Sequence, residues 1–79
     1  MSGESIAATG VCEEEFRGGF YRVKLHAPLK GSVLAKLSGR MAKHRVRVLP
    51  GDVVELEISP YDTSRARITF RGIRTRHAG

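Results

Sequence analysis

The most regular alternation of apolar and polar positions lies late in the chain. After Gly51-Asp52, the residues Val54, Leu56 and Ile58 recur at every second position with Glu55 and Glu57 between them, the signature of a strand with one buried face. Pro60-Tyr61-Asp62 stops the run, and Ile68 and Phe70 then resume it between Arg67, Thr69 and Arg71. Residues 51–71 therefore predict a hairpin that carries its cations on the outside. The same period appears upstream. Tyr21, Val23 and Leu25 share one face of a strand over Phe20–Leu25, with Phe20, Arg22 and Lys24 on the other, and Val33, Ala35 and Leu37 oppose Leu34 and Lys36 in the next.

Weaker signals complete the pattern. Ile6 to Glu14 reads as a less regular first strand in which Gly10 is expected to bend the chain. Arg17-Gly18-Gly19 and the stretch His26 to Gly31 read as turns. Ser38 to His44 is polar and short, with Ser38 placed to cap one or two helical turns, too few for a core helix. Arg45-Val46-Arg47-Val48-Leu49 carries the alternation into Pro50-Gly51. The expectation is an all-β domain, a five-stranded oligonucleotide-binding (OB) barrel with a short helical segment between strands three and four. Closing the sheet protects most strand edges at this length. Periodicity alone also accommodates a small barrel of the SH3-like kind.

Length bounds the rest. Seventy-nine residues make one domain with one small core, burying only about 60% of the unfolded surface. We expect an ordered unit over residues 6–71, a flexible N-terminus over 1–5 and a flexible basic tail over 72–79. The hydrophobic fraction of 41% is too high for disorder throughout, and no apolar run approaches the roughly 18 residues of a membrane span. MSGESIAATG has neither the basic start nor the apolar centre of a secretory signal, so the expected compartment is the cytoplasm. Cys12 is the single cysteine, which excludes an internal disulfide and suits a small apolar filler.

Net charge is +6, and its distribution is more telling than its total. Residues 1–15 hold Glu4, Glu13, Glu14 and Glu15 and no cation, whereas residues 16–51 hold Arg17, Arg22, Lys24, Lys30, Lys36, Arg40, Lys43, Arg45 and Arg47 and no carboxylate. Beyond Asp62, five further arginines, among them Arg67 and Arg71, follow without an acid. Cations without local acidic partners point to an external polyanion rather than to an ordinary solvated surface. Membrane phosphates fit less well, because no amphipathic helix accompanies the charge. Phe20 beside Arg22 and Lys24 offers a ring for base stacking next to cations for phosphate; packing of Phe20 against a neighbouring loop is the competing reading.

Catalytic chemistry is not assembled. His26, His44 and His77 are scattered and lack metal-ligand spacing, Glu13-Glu14-Glu15 is a run rather than a facing pair, and Gly18-Gly19 is too short to cradle a phosphate. No enzyme activity, cofactor or metal is expected.

The 51–71 stretch resembles the C-terminal half of the bacterial translation initiation factor one family, in Gly51-Asp52, Pro60-Tyr61-Asp62 and Arg67-Ile68-Thr69-Phe70-Arg71. Upstream, Ile6 and Gly10, Arg22-Val23, Leu37-Ser38-Gly39-Arg40-Met41 with Lys43, and Val46-Arg47-Val48-Leu49 are similar to the family's pieces in order and at nearly constant spacing, over about residues 5–71. The resemblance implies an S1-like OB barrel that occupies the aminoacyl-tRNA site of the small (30S) ribosomal subunit. It also implies contact with ribosomal RNA and a neighbouring ribosomal protein, and cooperation with initiation factors two and three; a monomer with no membrane partner is expected. The residues expected to grip RNA are Phe20, Arg22, Lys24, Lys36, Arg40, Lys43, Arg45, Arg47, Arg67 and Arg71. Tyr61 is open between anchoring its turn and touching RNA. The chain departs from the family pattern at Ala42, where an arginine is usual, in a longer loop over 26–31, and in a tail bearing Arg74 and Arg76. Two other readings stay open: a single-strand RNA chaperone of cold-shock type, and a protein-docking module with incidental RNA binding.

Overall fold

A computed structural model describes residues 5–72; the termini expected to be flexible lie almost wholly outside the described residues. In chain order the elements are β1 (Ile6–Phe16), β2 (Phe20–Leu25), β3 (Ser32–Leu37), α1 (Gly39–Lys43), β4 (Val53–Ile58) and β5 (Arg65–Arg71). The strands close into a barrel in the order β1-β2-β3-β5-β4, with β4 returning to β1. Every pairing is antiparallel except that of β3 with β5, which α1 and the segment after it make possible by carrying the chain across the barrel end. This is the five-stranded OB barrel.

The interior is filled as the alternation requires. Val23, Ala35, Val54, Leu56 and Ile68 project inward from four strands and are fully buried, and no polar or charged side chain among the described residues is buried with them. Ser38 caps α1, its hydroxyl accepting a hydrogen bond from the Met41 amide at 3.2 Å. The helix nonetheless reaches the core: Met41 is 5% exposed and plugs the barrel end. One turn suffices for that because only one side chain has to point inward.

Three local features depart from simple alternation. Gly10 is buried where β1 passes between Leu25 of β2 and Val54 of β4, and a Cβ there would lie 2.5 Å from the Lys24 carbonyl oxygen and 2.7 Å from Val23 Cγ1. Close approach of neighbouring backbone therefore explains the glycine. In β1 the register steps between Cys12 and Glu14, leaving Glu13 as the extra residue of a bulge. In β5 it steps again: Leu56 faces Ile68 but Glu55 faces Phe70, so Thr69 is extra and Phe70 turns outward, 37% exposed. The reading that puts Ile68 and Phe70 on one face is corrected by that bulge.

Residues Arg45 to Leu49 are not laddered. Arg45 adopts φ 56 immediately after the helix, with its amide bonded to the Ala42 carbonyl and the Val46 amide to Met41, a left-handed helix stop of the kind usually made by glycine. The chain then runs along the barrel end with Val48 buried and Arg47 exposed. Asp52 ends it: the Leu49 amide donates to its carboxylate at 2.9 Å, while Gly51, at φ 97, makes the turn.

Candidate nucleic-acid interface

Topology gathers the cations. Because β1 runs up and β2 down while β3 and β5 run up together, one barrel end collects the β1–β2 turn, the linker from β3 to β4 and the last residues of β5. Arg17, Arg40, Lys43, Arg45, Arg47 and Arg71 thus come from three separate segments to a single end, all exposed. Among the described residues, Arg40, Lys43 and Arg45 form no ion pair. Arg71 is fastened differently, its guanidinium donating to the Arg47 carbonyl at 3.1 Å, so it also holds the linker in place. Beside it, Arg40, Met41, His44, Val46, Phe70 and Arg71 line a shallow hollow with an apolar floor and a cationic rim.

A second group lies on the outer wall of the sheet. Register places Phe16 opposite Phe20, Phe20 opposite Lys36, and Lys36 beside Arg67, a row that crosses four strands. Phe20 is half-buried and the Lys36 ammonium sits 5.5 Å from its ring centroid, a cation–π distance. Arg22 and Lys24 stand on the same outer face of β2 and both are exposed.

The acid-free stretches of sequence are not free of acidic partners in space. Arg22 pairs with Glu14 at 2.8 Å and with Glu13 at 3.3 Å, Arg47 with Glu15 at 3.7 Å, Arg67 with Glu57 at 3.1 Å, and Arg65 with Asp62 at 4.0 Å. The expectation that these cations lack partners is corrected here: folding brings Arg22, Arg47 and Arg67 to acids of other segments, and Arg65 meets Asp62 within its own turn. All five pairs are exposed, so they stabilise little. Burial pushes the Tyr21 hydroxyl above the usual tyrosine range, and Glu15 adds to the effect.

Sequence reasoning missed Phe70 and Phe16 at this interface. Nothing in the alternation reveals Phe70, since the bulge that exposes it has no residue signature; Phe16 is recoverable by counting back across the Arg17-Gly18-Gly19 turn from Phe20. Tyr61 is 90% exposed at the opposite barrel end. Its turn is anchored by other groups: Ser59 Oγ accepts from the Tyr61 and Asp62 amides, and Asp62 accepts from the amide and hydroxyl of Ser64. Those two Ser64 hydrogen bonds hold the Asp62 carboxyl below the usual carboxylate range. The ring of Tyr61 is not the anchor.

Comparison with known proteins decides the family. The chain is 48% identical over 68 residues to translation initiation factor IF-1 of Solibacter usitatus (strain Ellin6076), spanning 86% of this chain and 92% of that protein. The chain belongs to the translation initiation factor IF-1 family. It is an initiation factor by descent as well as by pattern. The solution structure of translation initiation factor one from the Wolbachia endosymbiont strain TRS of Brugia malayi superposes with a TM-score of 0.73 at 24% identity, covering 91% of this chain and 82% of that one. The crystal structure of YjeQ from Thermotoga maritima matches at TM-score 0.65 and 22% identity, over 87% of this chain but 23% of that one. Both likenesses establish the fold. No protein-family model matches the chain. Ala42, where the resemblance leads one to expect arginine, lies exposed on α1 between Met41 and Lys43, away from the core. Among the described residues no helix is long and apolar enough to cross a membrane.

Proposed function

We propose that this initiation factor is a non-catalytic, monomeric, cytoplasmic protein. It binds the small (30S) ribosomal subunit at the aminoacyl-tRNA site through ribosomal RNA and assists assembly of the initiation complex. The observation that carries the reading is the convergence of Arg40, Lys43, Arg45 and Arg71 from separate segments on one barrel end of an IF-1 scaffold. Guanidinium and ammonium groups on a rigid end can meet phosphates of a folded RNA at fixed positions, while unstacked bases find Phe20, Phe70 or a guanidinium plane. Function then follows from occupancy: a barrel seated in the site keeps elongator tRNA out without chemistry. A neighbouring ribosomal protein and initiation factors two and three complete the assembly, and Lys24, Lys36 and Arg67 extend the RNA contact along the sheet wall.

Sedimentation with purified 30S subunits, 70S ribosomes and unstructured RNA tests this. Retention on 30S subunits well above that on free RNA is expected. Equal affinity for free RNA would overturn the reading in favour of a cold-shock-type chaperone, and binding to isolated ribosomal protein alone would favour a docking module.

A further inference from the structure

The bulge at Glu13 has an electrostatic result. In a regular strand Glu13 and Glu14 would point to opposite faces, but the extra residue lets both carboxylates reach Arg22, at 3.3 and 2.8 Å. Phe16 adds its ring at 5.9 Å from the same guanidinium, and the Ser32 hydroxyl donates a 3.2 Å hydrogen bond to the Glu13 oxygen that Arg22 also meets. One residue on, Glu15 meets Arg47 at 3.7 Å. The acidic end of β1 thus occupies one cation of the sheet wall and one of the barrel end, while Arg40, Lys43 and Arg45 form no ion pair among the described residues.

We propose that Glu13, Glu14 and Glu15 determine specificity: they act as internal stand-ins for phosphate that withhold Arg22 and Arg47 from unstructured RNA. This rests on the RNA-binding reading above. A flexible single strand can drape over any exposed cation, so it gains from every cation released. A folded RNA presents its phosphates at fixed places and gains only from cations that face them. Holding two arginines in carboxylate pairs therefore costs the flexible competitor more than the folded target. The pairs are exposed and individually weak, so they can tune affinity without rigidifying the fold.

The test compares wild type with the triple variant Glu13→Gln/Glu14→Gln/Glu15→Gln, and the effect of Glu14→Gln in the wild-type chain with its effect in an Arg22→Gln background. Each is titrated with a fluorescent oligouridylate and with 30S subunits over a range of salt, and thermal unfolding checks that it is folded. The triple variant is expected to bind oligouridylate roughly 10-fold tighter, with a salt slope steeper by about 1.4 for two released cations on a single strand. Its 30S affinity should rise less than about 3-fold, so the preference for the subunit falls. Glu14→Gln should tighten oligouridylate binding more in the wild-type chain than in an Arg22→Gln background, where the charge change is the same but no arginine is released. An unchanged salt slope, or equal effects of Glu14→Gln in the two backgrounds, would overturn the proposal. Wild-type protein that binds neither ligand would instead overturn the RNA-binding reading, and this inference with it.

Discussion

Replacing Gly10 with alanine sets two effects of known size against each other. Gly10 is not among the positive-φ glycines, so alanine suits its backbone and, by restricting the unfolded chain, should stabilise by about 0.4–1 kcal/mol. Against this stands the space available. The new methyl would lie 2.5 Å from the Lys24 carbonyl oxygen and 2.7 Å from Val23 Cγ1. The valine can adjust only within a packed core, and the carbonyl oxygen belongs to the backbone that pairs with β1. Overpacking of this kind costs about 1–3 kcal/mol, and contact with backbone puts Gly10→Ala toward the upper part of that range. The net expectation is a loss of about 1–2 kcal/mol, which for a domain of this size lowers Tm by roughly 4–16 °C. The chain has no tryptophan, so far-UV circular dichroism over a thermal ramp and a urea series is the suitable readout. A Gly10→Ala protein as stable as wild type, or more so, would refute the packing of β1 between β2 and β4.

Other expectations concern the core, the turn and the thiol. Leu56 is 1% exposed at the barrel centre, and Leu56→Ala should cost about 2–5 kcal/mol in urea unfolding; a cost under about 1 kcal/mol would mean that the inward face is misassigned. Asp62 has its folded pKa lowered by the Ser64 hydrogen bonds, so its contribution to the turn is present above the unfolded pKa and is lost as pH falls through the folded one. The Ser64 amide resonance, followed by NMR, should therefore titrate at lower pH than in a short peptide of the same sequence; a midpoint at or above the peptide's contradicts the hydrogen-bonded turn. Burial pushes the Cys12 thiol above its usual range and leaves it 1% exposed. Iodoacetamide should label it only as fast as the chain unfolds, and rapid labelling of folded protein would contradict its place in the core.

Much of the barrel is legible in the sequence because its strands obey period two. Tyr21, Val23 and Leu25, and Val54, Leu56 and Ile58, are buried as their spacing requires, and the Ser38 cap follows from local side-chain chemistry. The failures have a common cause in pairing. A bulge leaves no mark on composition, so alternation points Phe70 inward and hides the joint approach of Glu13 and Glu14 to Arg22. Ion pairs between distant segments are equally hidden, because Arg47 and Glu15 become neighbours only once the linker crosses the barrel end. Alternation over Arg45–Leu49 does track burial, with Val48 inside and Arg47 outside, but cannot reveal that Arg45 at φ 56 ends the helix there and that no ladder forms. The cationic residues are identifiable one by one; their assembly on one end is a property of topology.

Grip of the small subunit by this barrel end is the step on which the proposed function rests. It is tested most directly by the affinity for 30S subunits of Arg40→Gln/Lys43→Gln/Arg45→Gln, three exposed cations that form no ion pair among the described residues. Affinity is expected to fall at least about 10-fold and the salt dependence to flatten by about 2–3 in log–log slope, with the unfolding midpoint within a few degrees of wild type. Unchanged 30S affinity in the folded variant would contradict it.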